Sequence, residues 1–381
     1  MKLIRVTTVP QSLAFCEGLA AMMAEDGVEV VAVSSPGEQL DEFGRSEGVR
    51  TIAVAMERRI SPIRDLKSLW RMWRVMRRER PEIVHSITPK AGLISMFAGW
   101  MARVPIRIHT FTGLVFPTST GLKRRILMAT DWLTCACATH VIPEGEGVKS
   151  DLLNHHITRK PLRVLGYGNI KGIDLEYFKP KKAPLLQEGP GEAHGQAFTF
   201  VFVGRLVGDK GINELVEAFK RLNEECPATR LVLVGNEEAD LDPIAPETKR
   251  EIERNAAINA VGAQSDVRPF YAAVDALVFP SYREGFPNVV IEAGAMCLPS
   301  IVTDINGSRE IIIEGENGTI VPPRDADALY QAMKRFVENP DVVAQMAAKA
   351  RPLIASRYEQ GFVRRCLKDF YKECIATTLK E

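Results

Sequence analysis

The sequence predicts an α/β protein made of two doubly wound, parallel-sheet domains. Three observations lead there. Short apolar runs bounded by turn residues alternate with helical patterns along most of the chain, a β-α-β rhythm that sets parallel strands between helices. From Lys179 to Gln196 the rhythm gives way to Pro, Gly, Lys and Glu, including Lys-Pro-Lys-Lys and Glu-Gly-Pro-Gly-Glu, which is linker composition. The chain has 381 residues, whereas single cores rarely grow beyond roughly 250 to 300.

The first domain is expected over residues 1–178. Lys2 to Val6 reads as a strand, Leu13 to Asp26 as a helix, Val28 to Ser34 as a strand, and a helix follows Pro36. Further strands are expected at Ile83 to His85, Ile106 to Thr110 and Val141 to Pro143, with a helix from Lys90 to Ala102. After the linker at 179–196 the rhythm restarts over residues 197–357. Strands are expected at Phe198 to Val203, Arg230 to Val234, Ala276 to Phe279, Ser300 to Thr303 and Thr319 to Val321. Helices are expected from Ile212 to Leu222, from about Asn288 to Met296 and after Asp325. A last helix is expected within 358–381, where Phe362, Leu367, Phe370 and Tyr371 recur at helical spacing.

Composition excludes several classes. With 46% hydrophobic and 25% charged residues the chain has ample core material, so long disorder is not expected. The N-terminus turns polar at Thr7, too early for a signal-peptide core, and a cytoplasmic protein is expected. The longest apolar stretch, Leu93 to Ala102, is about half of what spans a bilayer. Seven scattered cysteines without a C-x-x-C pair read as free thiols, and neither Cys135/Cys137 nor His155-His156 has zinc-ligand spacing. No metal and no cofactor are expected.

The net charge of +1 conceals an asymmetry, because residues 1–180 carry 25 basic and 18 acidic side chains. Much of that excess lies in residues 58–80, where Arg64, Lys67, Arg71, Arg74, Arg77, Arg78 and Arg80 interleave with Leu66, Leu69, Trp70, Trp73 and Val75. This is a basic amphipathic helix with two readings: a solvated face whose apolar stripe enters the core, or a peripheral contact with anionic membrane lipids. Nucleic acid is not an expected partner.

Two segments carry chemistry. The strand ending at Val203 runs into Gly204-Arg205-Leu206-Val207-Gly208-Asp209-Lys210-Gly211 and then a helix. Glycines for a tight turn, N–H groups at a helix start and two cations suit a diphosphate; an ordinary turn with exposed cations is the alternative. The loop fits neither G-x-G-x-x-G nor G-x-x-x-x-G-K-[ST]. The second segment is Arg283-Glu284-Gly285-Phe286-Pro287-Asn288-Val289-Val290-Ile291-Glu292-Ala293, with two carboxylates eight positions apart. Glu292 falls in an otherwise apolar helix, where a carboxylate is unfavourable unless donors such as ribose hydroxyls reach it. Glu284 stands in the preceding loop, able to accept from sugar hydroxyls; on spacing alone, two unrelated surface glutamates are the alternative.

These residues resemble the family 4 glycosyltransferases, retaining enzymes of GT-B fold whose signature is E-x7-E, here Glu284 to Glu292. The resemblance extends over nearly the whole chain: G-R-L-x-x-D-K-G at Gly204 to Gly211, L-V-L-V-G ending at Gly235, D-A-L-V-F-P-S-Y from Asp275 and N-G-x-x-V-P-P at Asn317 to Pro323. It implies two Rossmann-like domains facing a cleft, with the C-terminal helix crossing back to the first domain and forming a hinge with the linker. It implies that Arg205 and Lys210 hold the donor diphosphate beside Gly204. It also implies that Glu292 binds the ribose, and that Glu284 with the Gly285, Phe286, Pro287, Asn288 and Val289 backbone holds sugar hydroxyls and phosphate. The donor is a nucleotide-sugar, by family habit a UDP-hexose or UDP-N-acetylhexosamine.

In the first domain V-T-T-V-P-Q-S-L, V-S-S-P-G, V-H-S-I-T-P-K-A-G and R-I-H-T-F-T-G-L resemble the branch that builds capsular, O-antigen and other lipid-linked polysaccharides. That implies a polyprenyl-diphosphate-linked or other glycan acceptor. Lys90, at the start of a helix after His85, is placed to meet an acceptor phosphate, a first-turn lysine facing water being the alternative. With the basic segment 58–80, a peripheral place on the inner face of the cytoplasmic membrane is expected. Many relatives have His-Gly where this chain has Thr112-Gly113, with His109 three residues earlier. His109 and Thr112 are therefore acceptor-side candidates, His109 being structural instead if it points along its strand into the sheet. The departing phosphate can itself take the acceptor proton in a front-face displacement, so the missing histidine does not exclude transfer. Asp240-Leu241-Asp242 has the spelling of a metal-binding Asp-x-Asp but reads as a solvated loop. The competing functions are a GT-B-like nucleotide-sugar epimerase or hydrolase and a non-catalytic nucleotide-sugar-binding subunit.

Overall fold

A computed structural model describes residues 1–57, 61–180, 197–238 and 242–378. The chain divides into two compact units, Met1–Gly172 with Gln360–Glu381, and Ile173–Glu359. In the first, β1 (Lys2–Val6), β2 (Glu29–Ser34), β3 (Arg50–Ala53), β4 (Ile83–Ile87), β5 (Ile106–Phe111) and β6 (His140–Pro143) form a parallel sheet in the order β3-β2-β1-β4-β5-β6. Its helices are α1 (Leu19–Ala24), α2 (Glu38–Glu47), α3 (Pro62–Glu79), α4 (Pro89–Met101), α5 (Gly121–Cys137) and α6 (Glu146–Asn154). Strand β4 is buried at all five positions, as a parallel strand covered on both faces must be.

The second unit repeats the plan. Strands β7 (Phe198–Val203), β8 (Thr229–Val234), β9 (Ile258–Gly262), β10 (Ala276–Phe279), β11 (Ser300–Thr303) and β12 (Gly318–Val321) follow the order β12-β11-β10-β7-β8-β9. The helices are α7 (Ile212–Glu225), α8 (Pro246–Arg254), α9 (Arg268–Ala272), α10 (Asn288–Ala295), α11 (Ser308–Ile311), α12 (Ala326–Glu338) and α13 (Pro340–Tyr358). One core gathers Phe200, Phe202, Leu215, Phe219, Leu231, Leu277, Ile301 and Met333; each such side chain contributes about 1.5–3 kcal/mol on burial. The strand order reverses at β1/β4 and at β7/β10, where ligands of doubly wound sheets sit beyond the carboxyl ends of the strands.

Helix α14 (Gln360–Thr378) belongs to the first unit although it ends the chain. Its Leu367, Phe370, Tyr371 and Cys374 pack with Leu3, Ile83, Ile106 and Ile142 of the sheet.

Several expectations change in detail. The helix expected from Leu13 to Asp26 is a 3-10 stretch, Pro10–Cys16, followed by α1, because Gly18 between them takes φ +68°. Edge strands β3 and β9 were not expected, since neither carries an apolar run. The last helix starts at Gln360, because Tyr358 is buried as the end of α13 and Glu359 is extended. The division of the chain falls after Gly172, ahead of the linker: the Ile173 N–H donates to the Tyr358 carbonyl at 2.8 Å, and Arg351 donates to the carbonyls of Leu175 and Phe178 at 2.8 and 2.6 Å. Most of the linker segment, 181–196, lies outside the described residues, as do 58–60 at the start of the basic segment. No helix among the described residues is long and apolar enough to cross a membrane.

Candidate active site

Because β7 and β10 are neighbours, the loops that leave their carboxyl ends meet. Gly211 makes the approach possible. It takes φ +72°, and a Cβ there would stand 2.1 Å from the Pro280 carbonyl oxygen, so no other residue fits without moving backbone. The Tyr282 N–H donates to the Asp209 carbonyl at 2.9 Å and fixes the two loops together. Lys210 Nζ, at the end of the first loop, bonds to Glu284 Oε1 in the second. The Ser281 hydroxyl donates to the same carboxylate oxygen at 2.9 Å, and the ammonium lies 5.5 Å from the centre of the Phe279 ring. Both charged side chains are largely enclosed, 14% and 17% exposed.

Arg205 is placed differently. Half-exposed, it pairs with Glu238 at 2.7 Å; such a surface pair contributes about 0–1 kcal/mol, so an anion can compete for the guanidinium. Gly204 ties the loop to the sheet through its N–H to the Val234 carbonyl, 2.9 Å.

The Gly285–Val289 segment leads into α10, whose N-cap residue, Pro287, makes no side-chain capping bond. Helix N-termini of this kind present N–H groups and the positive end of the helix dipole. Gly307, at φ +75°, packs under the segment; a Cβ there would lie 2.5 Å from the Gly285 carbonyl oxygen and 2.7 Å from Phe286 Cα. Phe286 is buried against the Tyr358 ring, 5.6 Å between centroids. Pro287 precedes the helix, and Asn288 and Val289 begin it. Further along, the Glu292 carboxylate accepts a hydrogen bond from the Tyr271 hydroxyl at 3.3 Å. Tyr271 is fully buried, and desolvation, then the Glu292 charge, push its hydroxyl well above the ordinary tyrosine range. Tyr271 and Ser281 escaped sequence reasoning. A tyrosine in the short helix Arg268–Ala272 and a serine three positions before a loop carboxylate were the available signals.

On the first unit's side the outcome is mixed. Lys90 Nζ lies 2.7 Å from both Asp65 oxygens and is only 11% exposed. Thr112 is half-buried just beyond β5. His109 is corrected from an acceptor candidate to a core residue. It is 1% exposed, its Nδ1 is 2.8 Å from the Ser86 hydroxyl, and its ring stands edge-on to Phe111. A Cβ on Gly92 would be 2.4 Å from its Cε1, and burial pulls its pKa to about 3. In a central strand, residue 109 points into the helix layer. Nearby, Arg5 is buried with no carboxylate partner among the described residues and donates to His85 Nδ1 and, at 2.7 Å, to the Tyr371 hydroxyl of α14. Burial, then Arg5, hold His85 well below the ordinary range, so it stays neutral.

Of the Asp-x-Asp spelling, Asp240 and Leu241 lie outside the described residues. Asp242 accepts the Asp209 N–H at 2.6 Å and supports the Gly204–Gly211 loop.

Residues 14–168 match the glycosyl transferase 4-like domain, and residues 188–352 match glycosyl transferases group 1. The chain is 30% identical over 381 residues to the capsular polysaccharide biosynthesis glycosyltransferase CapM of Staphylococcus aureus, covering all of this chain and 98% of that protein. It is a family 4 glycosyltransferase. This glycosyltransferase is also 27% identical over 347 residues to the Escherichia coli UDP-Gal:alpha-D-GlcNAc-diphosphoundecaprenol alpha-1,3-galactosyltransferase, covering 89% and 86% of the two chains. The GT-B fold of the glycosyltransferase is that of Anabaena HepE, whose structure is in complex with UDP: TM-score 0.78 at 16% identity, over 98% of this chain and all of that one. Arg205, Lys210, Glu284 and Glu292 all fall within the group 1 match, and Lys90, His109 and Thr112 within the other.

Proposed function

We propose that this glycosyltransferase moves a hexose or N-acetylhexosamine from a UDP-sugar, with retention and without a metal, to a lipid-diphosphate-linked or other glycan acceptor in surface polysaccharide synthesis. The observation that carries the reading is the enclosed Lys210–Glu284 pair, set beside the start of α10. A cation and a carboxylate held in one place match the two ends of a sugar diphosphate. Lys210 and Arg205 take the diphosphate, Glu284 accepts from sugar hydroxyls, the Gly285–Val289 backbone meets phosphate and sugar, and Glu292 takes the ribose. The acceptor class is supported by the name of the E. coli relative, and Lys90 and Thr112 stand on the acceptor side.

The bond from the anomeric carbon to the β-phosphate oxygen breaks, the acceptor oxygen bonds to that carbon on the same face, and the acceptor proton passes to the departing phosphate. Charge grows on UDP as it leaves, and one well-placed donor there supplies roughly 2.7 to 4 kcal/mol. The enzyme is proposed to work in the cytoplasm, with the basic segment 58–80 touching the inner face of the membrane.

The test is UDP release from a panel of UDP-sugars, with and without polyprenyl-diphosphate-sugar acceptors, for the wild type, Glu284→Ala and Lys210→Ala. Acceptor-dependent release lost in both variants is the expected result. Release without acceptor would favour the epimerase or hydrolase, and tight UDP-sugar binding without release the binding subunit.

A further inference from the structure

The chain has four tryptophans, and all of them lie on α3, α4 and α5. These helices share one face of the first sheet, where Met72 and Met76 of α3, Ile94 and Ala98 of α4, and Cys135 of α5 join a single core. Trp73 packs against that core, but Trp70, Trp100 and Trp132, one on each helix, are 53%, 55% and 56% exposed. The apolar stripe of the basic helix therefore does not all enter the core. Leu66 of α3 and Leu122 of α5 are more exposed still, at 67% and 72%.

Charge on this face is of one sign. Helix α3 offers Lys67, Arg71, Arg74 and Arg77 to solvent, and α5 opens with Lys123-Arg124-Arg125. The acids present are occupied or withdrawn: Asp65 pairs with Lys90, Glu79 with Lys2 and Arg50, and Asp131 sits half-buried. The Arg74 guanidinium lies 4.7 Å over the Trp70 ring, so indole and cation occupy one depth. Exposed indoles and leucines amid unopposed cations fit the boundary between acyl chains and anionic headgroups.

We propose that α3, α4 and α5 together form a docking surface for an anionic lipid bilayer, with Leu66 and Trp70 as one anchor and Leu122 as a second. This deepens the single-segment contact given above and rests on it. Helices α3 and α5 both run back toward strands, to β4 and β6, so their first turns lie at the carboxyl edge of the sheet, flanking the first turn of α4 that carries Lys90. Docking there brings that edge to headgroup depth, where the diphosphate of a lipid-linked acceptor resides.

The experiment is co-sedimentation of the full chain with vesicles of phosphatidylcholine alone or mixed with phosphatidylglycerol, comparing wild type, Leu66→Glu, Leu122→Glu and the double variant. Each site is exposed, so melting temperature and UDP-sugar binding are expected to stay unchanged and serve as folding controls. Wild type is expected to bind the anionic vesicles only, less at high salt. Each variant is expected to lose about fivefold or more in affinity, roughly the effect of one charge near the surface, and the double variant the product of the two. Wild-type behaviour of Leu122→Glu with loss in Leu66→Glu would overturn the three-helix surface and leave the 58–80 contact standing. No wild-type binding to anionic vesicles would overturn both, with the transferase reading still judged by UDP release. Equal binding to neutral vesicles, a change of oligomeric state in the variants, or equally tight retention on duplex DNA would overturn the proposal in favour of other partners.

Discussion

Lys210 and Glu284, 74 positions apart, are bonded side chain to side chain and largely enclosed, and Ser281 supplies a second donor to the same carboxylate. Parallel neighbours β7 and β10 bring them together. Lys210→Ala is expected to lower kcat by about 10²- to 10³-fold, the usual effect of losing one donor to developing negative charge. The same substitution leaves Glu284 enclosed without its cation, so the melting temperature of the variant is also expected to fall. UDP-release kinetics and thermal denaturation measure the two effects. Unchanged kcat would remove Lys210 from the reaction.

Tyr271 orients Glu292 through one hydrogen bond. Tyr271→Phe keeps the ring in its buried place and removes only the hydroxyl, at about 0.5–1.5 kcal/mol. If Glu292 takes the ribose, the variant should raise KM for the UDP-sugar about threefold to tenfold with kcat little changed. Titration of UDP binding by calorimetry checks the same loss independently.

Cys297 stands where a helix ordinarily ends in glycine. Its φ is +63°, its N–H donates to the Gly294 carbonyl at 3.0 Å, and the Leu298 N–H donates to the Ala293 carbonyl at 2.9 Å, which closes α10 in a Schellman motif. A side chain in this left-handed conformation is disfavoured by roughly 1–2 kcal/mol. Cys297→Gly should therefore stabilise the second unit by about 1 kcal/mol, read as a higher urea midpoint at unchanged slope.

Burial raises the Asp131 carboxyl from 3.8 to about 7. In the unfolded chain the group ionises near 3.8, whereas the folded protein keeps its proton to about 7. Stability from this residue is thus fully present below 3.8 and is lost as pH rises to about 7. Asp131→Asn removes the penalty, so its advantage over wild type in denaturant unfolding should grow between these limits and level off above. A constant difference across that range would contradict the assignment.

Local pattern was enough for much of this protein. Runs such as Phe198–Val203 and Ala276–Phe279 declare buried parallel strands because nearly every position is apolar, Thr199 alone excepted, and both appear with those bounds. The glycine-rich loop and the two glutamates eight apart were legible as candidates because tight turns and helix starts are short-range structures. Edge strands β3 and β9 stayed hidden because half their surface faces water and their composition is mixed. Tertiary structure alone decided the rest. Pairing of β7 with β10 set Lys210 on Glu284, the layer over the first sheet buried His109 and left three tryptophans exposed, and α14 returned Tyr371 to Arg5 across 366 positions. Such contacts depend on which strands become neighbours and which helix faces find cover, and those outcomes are settled by packing the whole chain.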